Sequence, residues 1–199
     1  HDNYSDFADT FAYFFRYNGT YNVPGTHETS VDCPFDQIYY MGGYWYDRFK
    51  STIPKSLSTI VITEETYFTS LAFRALDFVT DISILQNDSN KVRDMVFEKN
   101  CFLYCTRLET LSLPFVGRDW NPSSKDNFNY TMGYLFGYGT SGYITTQYER
   151  VSFPLSLKRI EIGDEVSYIS AYAFAGMKNL ESFTTDSRII AMGAYCFAN

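Results

Sequence analysis

The sequence predicts a repeat solenoid of the α+β kind, in which short parallel strands line one face and brief helical turns or loops form the other. The first observation behind this prediction is a ten-residue string that occurs twice, at residues 53–62 and 153–162, with Pro, Ser, Leu, Ile and Ile in the same places. The second is a shorter apolar pattern, spaced as L-x-x-L-x-L, that recurs between and after these strings. Repetition of this kind is typical of coils that stack along one axis.

Each L-x-x-L-x-L-like string predicts one short strand with one buried face, because its apolar residues alternate with polar ones. The strings start at positions 57, 79, 108, 157 and 180, which are separated by 22, 29, 49 and 23 residues. Two gaps give a base period of 22 to 23 residues, and the other two carry insertions. A coil of this size cannot bury its own apolar face, so neighbouring coils must stack.

A second element lies between the strings and consists of an apolar residue, a short interval, and then a small residue followed by Phe. Its four copies are Phe68 with Ala72–Phe73, Val96 with Cys101–Phe102, Ile169 with Ala173–Phe174, and Met192 with Cys196–Phe197. Three residues after the Phe of the first three copies stands another residue of a type that is usually buried, namely Leu76, Cys105 and Met177. This spacing favours a brief helical turn on the back of each coil.

Together, x-P-x-S-L-x-x-I-x-I and I-x-x-x-A-F-x-x-C/M-x-x-L resemble the BspA-like leucine-rich repeats of bacterial surface proteins. Residues 53–113 and 153–199, a little over half of the chain, carry the resemblance. It implies a leucine-rich-repeat array. It also implies a non-enzymatic protein of the bacterial surface or exterior that binds a protein ligand, with adhesion to host, extracellular-matrix or neighbouring-cell proteins as the expected role.

The expected domain organisation has two parts. Residues 1–52 show no clear copy of the repeat and are rich in aromatic residues, which predicts an N-terminal cap or a preceding block. Residues 53–199 form the leucine-rich-repeat array, with an inserted aromatic and glycine-rich loop region at about 114–152. The last copy stops just after Phe197, before its next expected strand, so we expect the natural protein to continue or the chain to have been cut there.

Composition and charge exclude some classes of partner. The 199 residues include 16 Lys and Arg against 23 Asp and Glu, for a net charge of −7, and no basic block occurs. This argues against nucleic acid or an anionic membrane as the main partner. No window approaches the roughly 18 consecutive apolar residues of a membrane span, so we expect none in this segment. The chain opens at His1 without a signal-peptide pattern, which indicates a processed form or an excised fragment.

The residues that carry enzyme chemistry are sparse and scattered. Residues 137–142 match G-x-G-x-x-G, but a β-branched segment follows where the dinucleotide fingerprint needs a helix. Only two histidines exist, and His27 with Cys33 is the one conceivable Cys-His pair. The adjacent carboxylates Glu64–Glu65 and Asp164–Glu165 follow strands, where solvation explains them. We therefore predict no catalytic residues, no metal site and no cofactor.

Repeat positions explain three of the four cysteines. Cys101 and Cys196 take the place of the small residue before Phe, and Cys105 takes the buried place after it. These three are predicted to be core thiols that pack as small hydrophobic residues. The pattern leaves a disulfide open without requiring one, and Cys33 has no assigned place.

The polar positions of the five strings form the first candidate binding face, because the outward side chains of stacked strands make one ladder surface. A solvated sheet face without a ligand is the alternative interpretation. The candidate residues are Ser58, Thr59, Val61, Thr80, Asp81, Ser83, Glu109, Thr110, Ser112, Lys158, Arg159, Glu161, Glu181, Ser182 and Thr184.

Exposed aromatic residues of the loops form the second candidate, since Tyr and Trp give large contact areas with little loss of side-chain entropy. They are Tyr44, Trp45, Tyr46, Trp120, Tyr138 and Tyr143. This surface supports an alternative function, a carbohydrate-binding surface module that stacks glycans on these rings.

Overall fold

A computed structural model describes residues 56–69, 72–73, 76–85, 88–120, 128–137, 154–163, 166–185, 189 and 191–198. Over these residues the chain forms a β-solenoid of about four turns with parallel strands and little helix, which confirms the predicted fold class. The predicted cap at residues 1–52, with His27 and Cys33, lies outside the described residues, as does nearly all of the G-x-G-x-x-G segment.

The elements alternate between strands of a main sheet and shorter elements on the other sides of the coil. In chain order they are β1 (Thr59–Val61), β2 (Tyr67–Phe68), β3 (Asp81–Ser83), α1 (Ser89–Asp94), β4 (Val96–Phe97), β5 (Thr110–Leu113), a 3-10 helix (Phe128–Tyr130), α2 (Met132–Leu135), β6 (Arg159–Ile162), β7 (Tyr168–Ile169), β8 (Ser182–Thr185) and β9 (Ala191–Met192). The main sheet has five parallel strands in the order β1-β3-β5-β6-β8.

The five predicted strings supply the strands of the main sheet, and their apolar residues pair in register. The central inward row runs across the sheet as Ile60, Ile82, Leu111, Ile160 and Phe183. The first four of these are buried and Phe183 is partly buried. β5 and β6 pair in the same register as the others although 49 residues separate Leu111 from Ile160. The insertion therefore leaves the sheet intact.

The apolar residue that opens the second element belongs to a second set of strands, which the sequence analysis did not predict. β2 pairs with β4, and β7 pairs with β9, in two parallel two-stranded sheets. The third coil passes between them. The N–H of Phe97 donates to the carbonyl oxygen of Arg118 (2.8 Å). The N–H of Arg118 donates in turn to the carbonyl oxygen of Asn129 (2.8 Å). Gly117 permits this turn, because its φ is +94° and an added Cβ would overlap the backbone of Asn129 and Tyr130.

The small-residue and Phe pairs stack on the back of the array as predicted. Phe73 N–H donates to Cys101 O (2.8 Å) and Phe102 N–H donates to Leu135 O (3.0 Å). The rings of Phe73 and Phe102 stack with centroids 5.0 Å apart, and the ring of Phe136 lies 5.7 Å from that of Phe102. Leu135–Phe136 is thus the third coil's copy of this element. Sequence analysis had placed it in the inserted aromatic and glycine-rich region.

The residue before the small residue takes a left-handed backbone conformation in three coils. The φ angles are 72° at Asn100, 59° at Tyr172 and 57° at Tyr195. Asn adopts this conformation readily, whereas for Tyr it is uncommon. The rings of Tyr172 and Tyr195 stack with centroids 5.3 Å apart, so packing between neighbouring coils accompanies the strained backbone.

The three described cysteines are buried free thiols, as predicted from their repeat positions. Cys105 Sγ contacts the carbonyl oxygen of Phe73 at 3.0 Å. Burial raises the pKa of Cys105 from its ordinary value of 9.0 to about 12, raises the pKa of Cys196 to about 11, and raises the pKa of Cys101 well above 9.0. These thiols therefore stay protonated in the folded protein at physiological pH.

We expect Cys101, Cys105 and Cys196 to resist alkylation by iodoacetamide in the native protein and to react after unfolding, because the thiolate is the reactive form. Peptide mass mapping of native and denatured samples measures this, and labelling of any of the three in the native state would contradict it.

Above pH 9 the cysteine thiols of the unfolded chain lose their protons before those of the folded protein do, so the free energy of unfolding should fall as the pH rises from about 9 towards 12.

Candidate binding surface

The fifteen residues of the predicted ladder surface lie in three rows across the main sheet. The first row precedes the strands and consists of Ser58, Thr80, Glu109, Lys158 and Glu181. The other two rows pair in register, as Thr59, Asp81, Thr110, Arg159 and Ser182, and as Val61, Ser83, Ser112, Glu161 and Thr184. All are exposed or half-buried except Ser112, which is buried. The structure thus brings together the whole predicted set.

Charged side chains concentrate on β5, β6 and β8. Lys158 Nζ lies 2.8 Å from Glu181 Oε1. Arg159 donates to Thr110 Oγ1 from Nε (3.1 Å) and from Nη2 (2.9 Å), and its Nη2 lies 3.8 Å from Glu109 Oε2. Ion pairs this exposed contribute only about 0–1 kcal/mol to stability. They place each cationic group next to a carboxylate of a neighbouring coil.

Hydroxyl groups and one apolar side chain dominate the side formed by β1 and β3. Thr80 Oγ1 donates to Asp81 Oδ2 (2.6 Å), and Val61 stands in the outermost row with 63% of its surface exposed. In the centre of the sheet, Ser112 Oγ donates to Glu161 Oε2 (3.0 Å). Across the whole face, four carboxylates against two cations leave a net charge of −2. The face therefore combines a hydroxyl-rich side with a mixed-charge side.

The loop aromatics are described at only one position, Trp120, because Tyr44, Trp45, Tyr46, Tyr138 and Tyr143 lie outside the described residues. Trp120 is half-buried and packs against the core. The guanidinium carbon of Arg93 lies 5.5 Å from the centroid of its ring, in a cation–π contact. The ring is therefore less exposed than the sequence analysis expected.

The described part of the chain has no group of three or more His, Cys, Asp or Glu side chains placed to hold a metal ion. Among the same residues, no helix has the length and apolar character needed to cross a membrane.

Comparison with protein families identifies the C-terminal part of the array. Residues 150–199 match a family model described as a BspA type leucine rich repeat region (6 copies). This part of the chain, about a quarter of its length, is similar to the BspA-type leucine-rich repeats. It spans β6 to β9 and confirms the resemblance drawn from the repeated strings. The family consists of surface proteins generally involved in binding, and it is typically non-catalytic. Comparisons with curated proteins and with solved structures gave no significant match.

Within the matched residues 150–199, the Ser of the x-P-x-S-L string has a structural role. Ser156 Oγ donates to the carbonyl oxygens of Leu108 (2.7 Å) and Thr106 (3.2 Å) on the preceding coil. Next to it, Lys158 N–H and Arg159 N–H both donate to Glu109 O (3.0 Å). These bonds fix the start of β6 against β5, and so they position the two cationic residues of the face.

Proposed function

We propose that this protein is an extracellular or cell-surface adhesin that binds another protein through the outward face of its main sheet. A host, extracellular-matrix or neighbouring-cell protein is the proposed ligand. The observation that carries the proposal is the register of the five strands, which aligns ten of the fifteen face residues in two rows, with the other five directly before the strands.

The hydrogen bonding of the face supports protein binding. Backbone hydrogen bonds connect each strand to its neighbours, and the side chains of Ser112, Thr110 and Lys158 are each engaged with a side chain on an adjacent strand. A surface that is already ordered loses little conformational entropy when a ligand binds. Solenoids present extended surfaces of this kind to their partners.

The family match supports the same function and location. The matched residues 150–199 contain six of the fifteen face residues, including both cations, on β6 and β8 or directly before these strands. BspA-type repeat proteins are surface proteins generally involved in binding. These properties of the family support our proposal of adhesion at the bacterial surface, outside the cell.

We expect the double variant Lys158→Glu, Arg159→Glu to weaken binding to the ligand by about tenfold or more, because charge reversal places four carboxylates together on β6 and β8. Surface plasmon resonance against a panel of purified extracellular-matrix proteins, with flow cytometry on whole cells, measures the affinity of the wild-type chain and of the variant. Circular dichroism checks that both are folded.

The matched control is Arg107→Glu, Lys178→Glu, which makes the same change in net charge at two exposed turn positions outside the three rows. It should bind as the wild type does, because long-range charge effects at physiological salt are screened. Equal weakening by both double variants would contradict a specific role of the sheet face. Unchanged binding by the β6 variant would assign recognition to another surface.

A further inference from the structure

Two of the three rows on the outward face of the main sheet are placed symmetrically. In each strand, one outward residue stands directly before the central inward residue and another stands directly after it. The row before consists of Thr59, Asp81, Thr110, Arg159 and Ser182, and the row after consists of Val61, Ser83, Ser112, Glu161 and Thr184. The two rows therefore lie at equal distances from the line that joins the central inward residues.

This symmetry allows the face to pack against a second copy of itself. If the second copy is turned over about a two-fold axis that follows this line, its strands run antiparallel above those of the first copy. Each residue of the row before then lies opposite the row-after residue of the same strand in the copy. The opposed pairs are Thr59 with Val61, Asp81 with Ser83, Thr110 with Ser112, Arg159 with Glu161, and Ser182 with Thr184. Every pair occurs twice, as in any isologous interface.

The charges of the two rows are complementary in this arrangement. Arg159 is their single cation and lies opposite Glu161 of the copy, while the Asp81 carboxylate lies opposite the hydroxyl group of Ser83. No pair places like charges together, an arrangement that would cost several kcal/mol. Packed sheets are about 10 Å apart, and the long Arg and Glu side chains reach across such a gap.

Arg159 and Glu161 are also incompletely paired within one chain. Arg159 Nη2 lies 3.8 Å from Glu109 Oε2, which is too long for a hydrogen bond, and half of the Arg159 side chain is exposed. Glu161 is exposed and accepts a hydrogen bond from Ser112, but it has no cationic partner among the described residues. A second copy would supply each of these two side chains with a group of opposite charge.

The dimensions of the face predict a weak contact. Five strands about 4.8 Å apart, with about 3.3 Å per residue along each, give a face of roughly 20 by 13 Å. This is well below the roughly 800 Å² that each partner buries in a standard stable interface. The net charge of −7 opposes association at long range, although physiological salt screens charges beyond about 8 Å. Between two cell surfaces a weak contact suffices, because many copies engage at once.

We propose that a second copy of this chain is a ligand of the sheet face. The two copies join face to face about the two-fold axis, with Arg159 of each paired to Glu161 of the other. This inference rests on the proposed function, since it names the neighbouring-cell protein that the face binds. It makes the adhesion homophilic, so that cells carrying this protein bind one another.

Charge exchange between Arg159 and Glu161 tests the proposal. Arg159→Glu and Glu161→Arg should each weaken self-association by about tenfold or more, because each places like charges opposite one another twice in the dimer. An equal mixture of the two variants should associate again, since one variant then carries two carboxylates and the other two guanidinium groups. Sedimentation velocity over a range of concentrations measures the dimer in solution. Clustering of beads coated with the full chain measures association at high surface density.

Arg107→Glu is the matched control, because it makes the same change in net charge as Arg159→Glu at an exposed turn position outside the three rows. It should leave clustering unchanged, and circular dichroism checks that all variants are folded. The inference is overturned if wild-type beads do not cluster, if Arg107→Glu weakens clustering as much as Arg159→Glu, or if the mixture clusters no better than each variant alone. Binding of a matrix protein that depends on Lys158 and Arg159, without self-association, would leave the proposed function standing alone.

Discussion

Ile160→Asp is expected to unfold the array, or to open it around β6, under conditions in which the wild type is stable. Ile160 is 1% exposed and pairs with Leu111 on one side and Phe183 on the other. The change removes the roughly 1.5–3 kcal/mol that burial of an Ile side chain contributes. It also places a carboxylate among apolar side chains, at a cost of several kcal/mol more. The sum is comparable with the whole stability of a small domain, about 5–15 kcal/mol.

Thermal and urea unfolding followed by circular dichroism measure this effect, with Glu161→Lys as the control on the adjacent, outward-facing position. Glu161 is exposed, and the change removes mainly the hydrogen bond from Ser112, for a loss of about 0.5–1.5 kcal/mol. We therefore expect Glu161→Lys to fold. If the two variants had equal melting temperatures, the inward and outward positions assigned to β6 would be wrong.

Phe102→Ala should cost about 3–5 kcal/mol of stability, the range for truncation of a buried Phe. The ring is completely buried and lies between those of Phe73 and Phe136, at centroid distances of 5.0 and 5.7 Å. Its loss leaves a cavity at the centre of the aromatic stack and removes ring contacts between the second coil and its neighbours. The midpoint of urea unfolding should fall accordingly, with an unchanged dependence on urea concentration if the array unfolds as one unit.

Leu155→Ala is the matched control for Phe102→Ala, since the Leu155 side chain is 58% exposed. It should change the free energy of unfolding by no more than about 0.5 kcal/mol, as surface substitutions usually do. A loss of less than 1 kcal/mol for Phe102→Ala would mean that the aromatic stack on the back of the array contributes little to its stability.

Much of the fold could be predicted because a stacked array repeats its constraints. Ile60, Ile82, Leu111 and Ile160 carry the same L-x-x-L-x-L spacing, and they occupy the same inward row. The small residue before Phe gave the place of Cys101 and Cys196 in the core. In both cases the same position of each coil accepts only side chains of a certain size, so the repeat is visible in the sequence.

The back of the third coil could not be predicted from the repeat. Leu135 replaces the expected small residue before Phe136, and an insertion of unpredictable length separates it from β5, so no spacing identifies it. The strands β2, β4, β7 and β9 have two residues each, too few for an alternating pattern to be visible. Two-residue strands are defined by their neighbours, and those contacts appear only once the coils are stacked.

The candidate surfaces differ in how far they could be predicted. The outward residues of the sheet follow directly from the inward ones, because side chains alternate along a strand. By contrast, the half-buried place of Trp120 depends on its contact with Arg93, which lies 27 positions earlier in the chain. Sequence analysis singled out Trp120 as an exposed stacking ring and had no signal for this contact.

For the adhesin function proposed above, the parallel register of the main sheet has a mechanical consequence. The strands run across the array, and the hydrogen bonds between coils run along it. A force that stretches the array lengthwise therefore loads the contacts of one coil with the next, in series rather than all at once. Each coil contacts mainly its neighbours, so tension should unfold the coils one at a time. The protein should therefore lengthen in steps before it releases a ligand.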